Sequence, residues 1–234
     1  VGTEKCVCLN SQTACAEMAL RVLGVGAGDE VITCAYTYTA SASVIAHVGA
    51  KIVMCDLERD SFFMDYEKLN GLITEKTKAI IPVHMMGYPC DMDRIMAIAK
   101  KHNLFVLEDA CQGNGGFFKG KRLGSIGDAG AFSFNYFKIA SCGEGGGFIT
   151  NSKDVFERAL IYHDSSAVAF FGDQLDGFCA VALVAVLGFD DHADAVHIGF
   201  HIVIIAGFAH TSNVLSSHSI DMLHVATIQK IMCA

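Results

Sequence analysis

The sequence predicts an α/β fold, with a mostly parallel, seven-stranded sheet and helices on both of its faces. The first observation behind this prediction is that strand-like and helix-like segments alternate over residues 1–164. The second is that the strand-like segments, such as "KAIIPVHM" and "LFVLEDA", are mostly apolar, as expected for strands buried on both faces. A chain of 234 residues is also long enough to bury a sizeable core.

The first two elements have the clearest signals. "KCVCLN" is a short strand in which Cys6 and Cys8 alternate with Val7, so we interpret both cysteines as small core residues. "SQTACAEMALRVLGV" begins with a Ser/Thr cap, carries apolar residues at helical spacing and ends at glycines. The remaining predicted elements are, in order, the strand "DEVITCA", the helix "TASASVIAHVG", the strand "KIVMCDL", the helix "DYEKLNGLI", the strand "KAIIPVHM", the helix "DMDRIMAIAKKHN", the strands "LFVLEDA", "DAGAFSFN" and "GGFITN", and the helix "SKDVFERALIYH".

Composition limits the classes of function. The net charge of −8 argues against nucleic acid as the main partner. No apolar run reaches the roughly 18 residues that would span a bilayer, and the start shows no signal-peptide pattern. The ten cysteines form no C-x-x-C pair, which favours reduced thiols. These features predict a cytoplasmic protein that does not contact membranes.

The composition changes near Ser165, which predicts a boundary between a domain at 1–164 and an atypical tail at 165–234. The tail holds only one of the seventeen Lys and Arg residues but six of the ten histidines. His197 and His201 would share one helix face, a spacing that can bind zinc, but we interpret them as scattered histidines and predict no metal site. A frameshifted or truncated coding sequence would explain such a tail, whose structure the pattern does not define.

Three segments place chemistry at the ends of predicted strands, where ligands bind α/β sheets. Residues 10–14, "NSQTA", open a helix and form either an ordinary cap or an anion site. Asp109 leaves the core after an apolar strand and either caps a helix or pairs with a buried cationic nitrogen. Lys138 precedes a glycine-rich run and is either a surface lysine or a group close to a ligand.

Taken together, these three segments match one ligand. A phosphate fits the helix N-terminus, a protonated ring nitrogen fits Asp109, and a carbonyl carbon fits Lys138. Pyridoxal 5'-phosphate (PLP) has all three groups, and it is held in enzymes by a lysine Schiff base and an acidic partner of its ring.

A set of motifs strengthens this interpretation. "GVGAGDEVI", "YTYTASAS", "TEKTKAIIPVHMMGYPCDMD", "LEDACQG", "GSIGDAGAFSF" and "GEGGGFITN" follow one another in this order. Over residues 1–164 the chain therefore resembles the large domain of the DegT/DnrJ/StrS family of PLP-dependent sugar aminotransferases, which have the aspartate-aminotransferase fold.

The resemblance implies a role for seven residues. Lys138 would form the Schiff base and then shuttle a proton, and Asp109 would pair with the pyridine nitrogen. Gln112 would lie near the phenolic oxygen, and Tyr38 would stack on the ring. The phosphate would be bound by Thr13, Ala14 and Ser133. The chain departs from the family at Gln12, where glycine is usual, and at Asn114, where histidine is common.

The resemblance also implies the reaction. Some family members carry histidine at the lysine position and act as dehydratases, so Lys138 favours transamination. Glutamate or glutamine would donate the amino group, and a keto-sugar, such as a nucleotide-linked sugar, a keto-inositol or a keto-sugar acid, would accept it in a homodimer. The alternatives are a non-catalytic remnant that still binds PLP and a regulatory module that uses the pocket as a sensor.

Overall fold

The structure is a computed structural model that describes residues 2–163. The seven predicted strands and five predicted helices are all present, and the described residues add one short hairpin that the pattern did not predict. The elements are β1 (Lys5–Leu9), α1 (Gln12–Val22), β2 (Glu30–Cys34), α2 (Ala40–His47), β3 (Lys51–Cys55), α3 (Tyr66–Leu72), β4 (Thr77–Ile81), α4 (Met92–His102), β5 (Phe105–Asp109), β6 (Phe117–Phe118), β7 (Lys121–Arg122), β8 (Ala129–Ser133), β9 (Gly146–Thr150) and α5 (Lys153–His163).

The main sheet has seven strands in the order β1-β9-β8-β5-β4-β2-β3. Strand β9 pairs antiparallel with both β1 and β8, whereas the pairs among β8, β5, β4, β2 and β3 are parallel. The reason for the exception is local: no helix lies between β8 and β9 in the described chain, and parallel neighbours need a crossover. The predicted mostly parallel sheet is therefore confirmed.

Helices cover both faces of this sheet, and each face has its own apolar core. One core contains buried side chains of α1, α2 and α5, among them Met18, Leu20 and Phe156. The other contains buried side chains of α3 and α4, among them Leu69 and Ile95. Complete burial of one such side chain contributes about 1.5–3 kcal/mol, so the two cores hold the helices firmly against the strands.

The helices begin where the sequence places short polar caps. Ser11, Asp65 and Asp91 each accept a hydrogen bond from a backbone N–H in the first turn of the helix that follows. Helix α4 ends at Asn103, which adopts the left-handed conformation with φ of 54°. These caps satisfy N–H groups that a helix leaves unpaired, and they fix the starting points of α1, α3 and α4.

All seven predicted site residues lie within residues 2–163. Strands β2, β4, β5 and β8 run parallel, so their carboxyl ends meet at one edge of the sheet, which we call the carboxyl edge.

None of the helices within residues 2–163 combines the length and apolarity needed to cross a membrane. The predicted tail at 165–234 lies outside the described residues.

Candidate active site

Asp109 is the last residue of β5, and its side chain is buried at the carboxyl edge. The hydroxyl of Ser41 donates to Oδ2 over 2.7 Å, and the backbone N–H of Cys111 donates to Oδ1 over 3.2 Å. Residues 110–116 form turns, so Asp109 caps a turn and the helix-cap alternative is wrong. The other alternative is a pair with a cationic group. The Asp109 carboxylate suits it, because it is buried at a strand end and held by two hydrogen-bond donors.

The N-terminus of α1 lies at the same edge. Thr13 and Ala14 stand in its first turn and are half-buried. Ser11 caps the helix, since its Oγ accepts the N–H of Ala14 over 3.2 Å. The ordinary cap is therefore present, and the N–H of Ala14 is already used within the protein. The positive end of the helix dipole still faces this edge and favours an anion there.

Gly146, at the start of β9, packs against the backbone of this helix start. A Cβ atom at position 146 would lie 2.2 Å from the carbonyl oxygen of Ser11 and 2.6 Å from the nitrogen of Gln12. Gly146 belongs to the glycine run after Lys138, and the absence of a side chain there permits the close contact between β9 and the turn that opens α1.

We expect Gly146→Ala to destabilise the protein by about 1–3 kcal/mol, because the added methyl group displaces the start of α1. Urea unfolding followed by circular dichroism measures this change. Gly26→Ala is the matched control, since a Cβ atom at position 26 meets no atom within 4 Å. Equal midpoints for the two variants would contradict the assigned contact.

Ser133 and Lys138 lie on the strand and loop next to Asp109. Ser133 ends β8, is buried, and its Oγ accepts the N–H of Asn135 over 3.4 Å. Lys138 does not lie at the strand end itself; it stands in the loop that joins β8 to β9, with its backbone N–H bonded to the carbonyl of Asn135. Its side chain is half-buried, whereas the neighbouring Phe137 and Ile139 are exposed.

Cys111 lies in the turn after Asp109, and its thiol has a shifted pKa. Burial raises the pKa of this thiol, and the charge of Asp109 together with a hydrogen bond to its carboxylate raises it further. The ammonium group of Lys138 acts in the opposite direction on the same pKa, and Cys15 of α1 also acts on it. The strand pairing brings the same segments together: Asp109 ends β5, Lys138 lies in the loop after the neighbouring strand β8, and Gly146, which follows that loop, packs against the start of α1.

Gln112 is held by an unusual turn after β4. The backbone N–H of Met86 donates to its Oε1 over 2.8 Å. Met86 has φ of 55° and Gly87 has φ of 83°, and a Cβ atom at position 87 would lie 3.1 Å from the carbonyl oxygen of Gln112. A methionine in the left-handed region is strained, and such strain collects at functional sites. The turn thus fixes the orientation of the Gln112 side chain.

Tyr38 and Asn114 complete the edge. Tyr38 lies in the loop between β2 and α2, with 74% of its surface exposed. Its role in stacking on a ring stays a prediction. Asn114 donates from its amide to the carbonyl of Ser133 over 3.4 Å, and its buried Oδ1 has no hydrogen-bond partner among residues 2–163.

The sequence pattern did not predict two buried groups, one within this site and one beside it. The first is Ser41, whose neighbours in "TASAS" look like an ordinary helix start. The second is Glu108, which is fully buried beside Asp109 in β5 and pairs with the buried His84 over 2.8 Å. The available signal was the pair of adjacent acids, Glu108 and Asp109, at the end of a buried strand. Successive side chains of a strand point to opposite faces of the sheet, so the pair indicates one acid on each face.

No group of three or more His, Cys, Asp or Glu side chains within residues 2–163 is arranged to hold a metal ion. The pair His197 and His201 lies outside the described residues. The absence of a metal site stays a prediction.

Comparison with known proteins identifies the family. The model of the DegT/DnrJ/EryC1/StrS aminotransferase family matches residues 1–178, about three quarters of the chain. The chain belongs to this family. The match extends past the predicted boundary at residue 164, and that boundary stays a prediction. The predicted fold class and family are both confirmed.

Two relatives from this aminotransferase family show the range of its members. GDP-perosamine synthase of Caulobacter vibrioides is 44% identical over 154 residues, which are 66% of this chain and 42% of that protein. A putative L-glutamine:3-amino-2,3-dideoxy-scyllo-inosose aminotransferase of Micromonospora echinospora is 40% identical over 148 residues, 63% of this chain and 35% of that protein. The chain spans about two fifths of the length of the curated relatives it matches.

Solved structures of family members have the same fold. The PLP-form of the putative sugar aminotransferase Spr1654 from Streptococcus pneumoniae is 36% identical, with a TM-score of 0.65, and the match covers 85% of this chain and 51% of that one. The PMP-form of the same protein matches with 42% identity over 73% of this chain and 47% of that one, also with a TM-score of 0.65.

Proposed function

We propose that this chain is the cofactor-binding part of a PLP-dependent sugar aminotransferase, with Lys138 as the residue that attaches the cofactor. The observation that carries the proposal is the convergence at the carboxyl edge. The buried carboxylate of Asp109 ends β5, the half-buried Lys138 lies in the loop after the neighbouring strand β8, and the N-terminus of α1 packs against Gly146, which follows that loop. Family membership supports the same function.

The chemistry of these groups fits PLP. The Asp109 carboxylate suits a protonated pyridine nitrogen, and the Lys138 amine suits an aldehyde. The positive end of α1, with the hydroxyl of Thr13, and the hydroxyl of Ser133 suit a phosphate, and the N–H of Ala14 would join them by leaving Ser11. When bound, PLP supplies an electron sink that stabilises negative charge on the substrate carbon.

Lys138 has two tasks in this proposal. Its loop is anchored by the bond from its own N–H to Asn135, and by a 2.5 Å hydrogen bond from Asn135 to Glu144. These bonds hold the loop at the carboxyl edge, where the amine of Lys138 would attach the aldehyde. When PLP is bound, the amine of Lys138 would also be the base available to take the proton from the substrate carbon.

Gln112 and Tyr38 orient the cofactor in this proposal. The Oε1 atom of Gln112 is bound to Met86, so the amide nitrogen is the part of the side chain left to donate to an anionic phenolic oxygen. Tyr38 lies on the loop after β2 and offers a flat aromatic face to the ring.

We infer that the acceptor is a keto-sugar or a keto-inositol and that glutamate or glutamine is the donor. The names of the two relatives, a GDP-perosamine synthase and an L-glutamine-dependent inosose aminotransferase, support both substrate classes. Exposed apolar side chains in the Lys138 loop, Tyr136, Phe137 and Ile139, support contact with a second copy in a homodimer.

An absorbance experiment tests this function. The purified protein should bind added PLP and become yellow, and glutamate or glutamine should then remove the yellow colour. A panel of keto-sugars and keto-inositols should restore it. A protein that stays colourless would overturn the proposal, and one that turns yellow but ignores every donor would identify a binding protein without turnover.

A further inference from the structure

A chain of hydroxyl groups leads to the buried carboxylate of Asp109. Thr37 precedes α2, and its Oγ1 lies 3.0 Å from the Oγ of Ser41. Ser41 lies in the first turn of α2, is 1% exposed, and its Oγ lies 2.7 Å from Oδ2 of Asp109. Ser41 and Asp109 are 68 positions apart in sequence, so the packing of α2 against the sheet brings these groups together.

The direction of the hydrogen bonds follows from their chemistry. A carboxylate only accepts hydrogen bonds, and a hydroxyl has one hydrogen to donate. Ser41 therefore donates to Asp109, and its oxygen is left to accept the hydrogen of Thr37. The series of hydrogen bonds runs from Thr37 through Ser41 to Asp109, and every bond in it has one donor and one acceptor.

Both oxygens of Asp109 are held in this way. Ser41 binds Oδ2, and the backbone N–H of Cys111 binds Oδ1. The two donors come from different segments, α2 and the turn after β5, so together they fix the plane of the carboxylate. A fixed carboxylate pays less conformational entropy when a cationic partner binds it.

We propose that Ser41 is a positioning residue that holds the Asp109 carboxylate in the orientation needed by the ring nitrogen of PLP. This inference rests on the proposed function and extends it to a residue that does not itself touch the cofactor. Thr37 supports Ser41 by supplying the hydrogen bond that its oxygen accepts.

The test compares two ligands that differ at one atom. PLP has the ring nitrogen, and 1-deazapyridoxal phosphate has a C–H in its place. Equilibrium binding of each ligand is measured by absorbance titration for the wild type, Ser41→Ala and Ser41→Thr. We expect Ser41→Ala to lose about tenfold in affinity for PLP, since a hydrogen bond to a charged group is removed. Its affinity for the deaza compound should stay within about twofold of wild type.

The control variants separate positioning from a general structural effect. Ser41→Thr keeps the hydroxyl and should restore most of the affinity for PLP. Asp109→Ala should bind PLP weakly, and adding Ser41→Ala to it should cause no further loss, because Ser41 acts only through Asp109.

The outcomes distinguish this inference from the function on which it rests. Equal losses for PLP and for the deaza compound in Ser41→Ala would overturn the positioning role, and so would unchanged affinity for PLP. A wild-type protein that binds neither compound would instead overturn the proposed function.

Discussion

Lys138→Ala is expected to abolish covalent attachment of PLP and to slow the reaction with an amino donor by on the order of 10²–10⁴-fold. The physical reason is that alanine has neither the amine that attaches the aldehyde nor a base for the proton on the substrate carbon. Borohydride treatment followed by mass spectrometry of the intact protein measures attachment. Stopped-flow absorbance after addition of glutamate measures the rate.

The control for this variant is Lys121→Ala. Lys121 lies in the β6–β7 hairpin and is exposed, so its loss removes the same charge from a segment that the proposed site does not use. It should keep both attachment and rate. If Lys138→Ala retained an adduct that borohydride fixes, another lysine would be the attachment point.

Glu108→Ala is expected to destabilise the fold by on the order of 3–5 kcal/mol, the largest effect on stability that we expect from a single substitution here, because it breaks a buried hydrogen-bond network. The carboxylate is fully buried and accepts four hydrogen bonds, from the ring of His84 and from the backbone N–H groups of Gly124, Ile126 and Gly127, over 2.6–2.8 Å. Alanine leaves all four buried or partly buried donors without a partner, and each such loss is costly. Urea unfolding followed by circular dichroism measures the change.

The geometry also defines the protonated atom of His84. Its Nδ1 accepts the backbone N–H of Cys90 over 3.2 Å, so Nε2 carries the hydrogen that is donated to Glu108. Glu67→Ala is the matched control, because that glutamate lies on the surface and its pair with Arg94 contributes less than about 1 kcal/mol. Similar losses for the two variants would show that the buried network does not stabilise the fold as described.

The fold could be predicted from the sequence because its signals are local. Apolar strands such as Thr77–Ile81 and capped helices such as Met92–His102 each carry their own pattern over a few residues. The order of these elements then implied a parallel sheet. The β6–β7 hairpin was missed because its strands are only two residues long, too short for a periodic pattern.

The candidate site could be predicted only in part, for a physical reason. Asp109 and Lys138 stand out because a charge follows an apolar run, and a parallel sheet brings such positions to one edge. The contact of Gly146 with Ser11 and the bond of Ser41 to Asp109 join segments distant in sequence. No local pattern encodes them, and they emerge only once the strand order is known.

The attachment point of the cofactor is the most direct test of the proposed site. The wild-type protein is loaded with PLP, reduced with borohydride, digested and mapped by tandem mass spectrometry. We expect the pyridoxyl group on the peptide that contains Lys138 and on no other lysine. A group found on a different lysine, or no modified peptide at all, would contradict the proposed site.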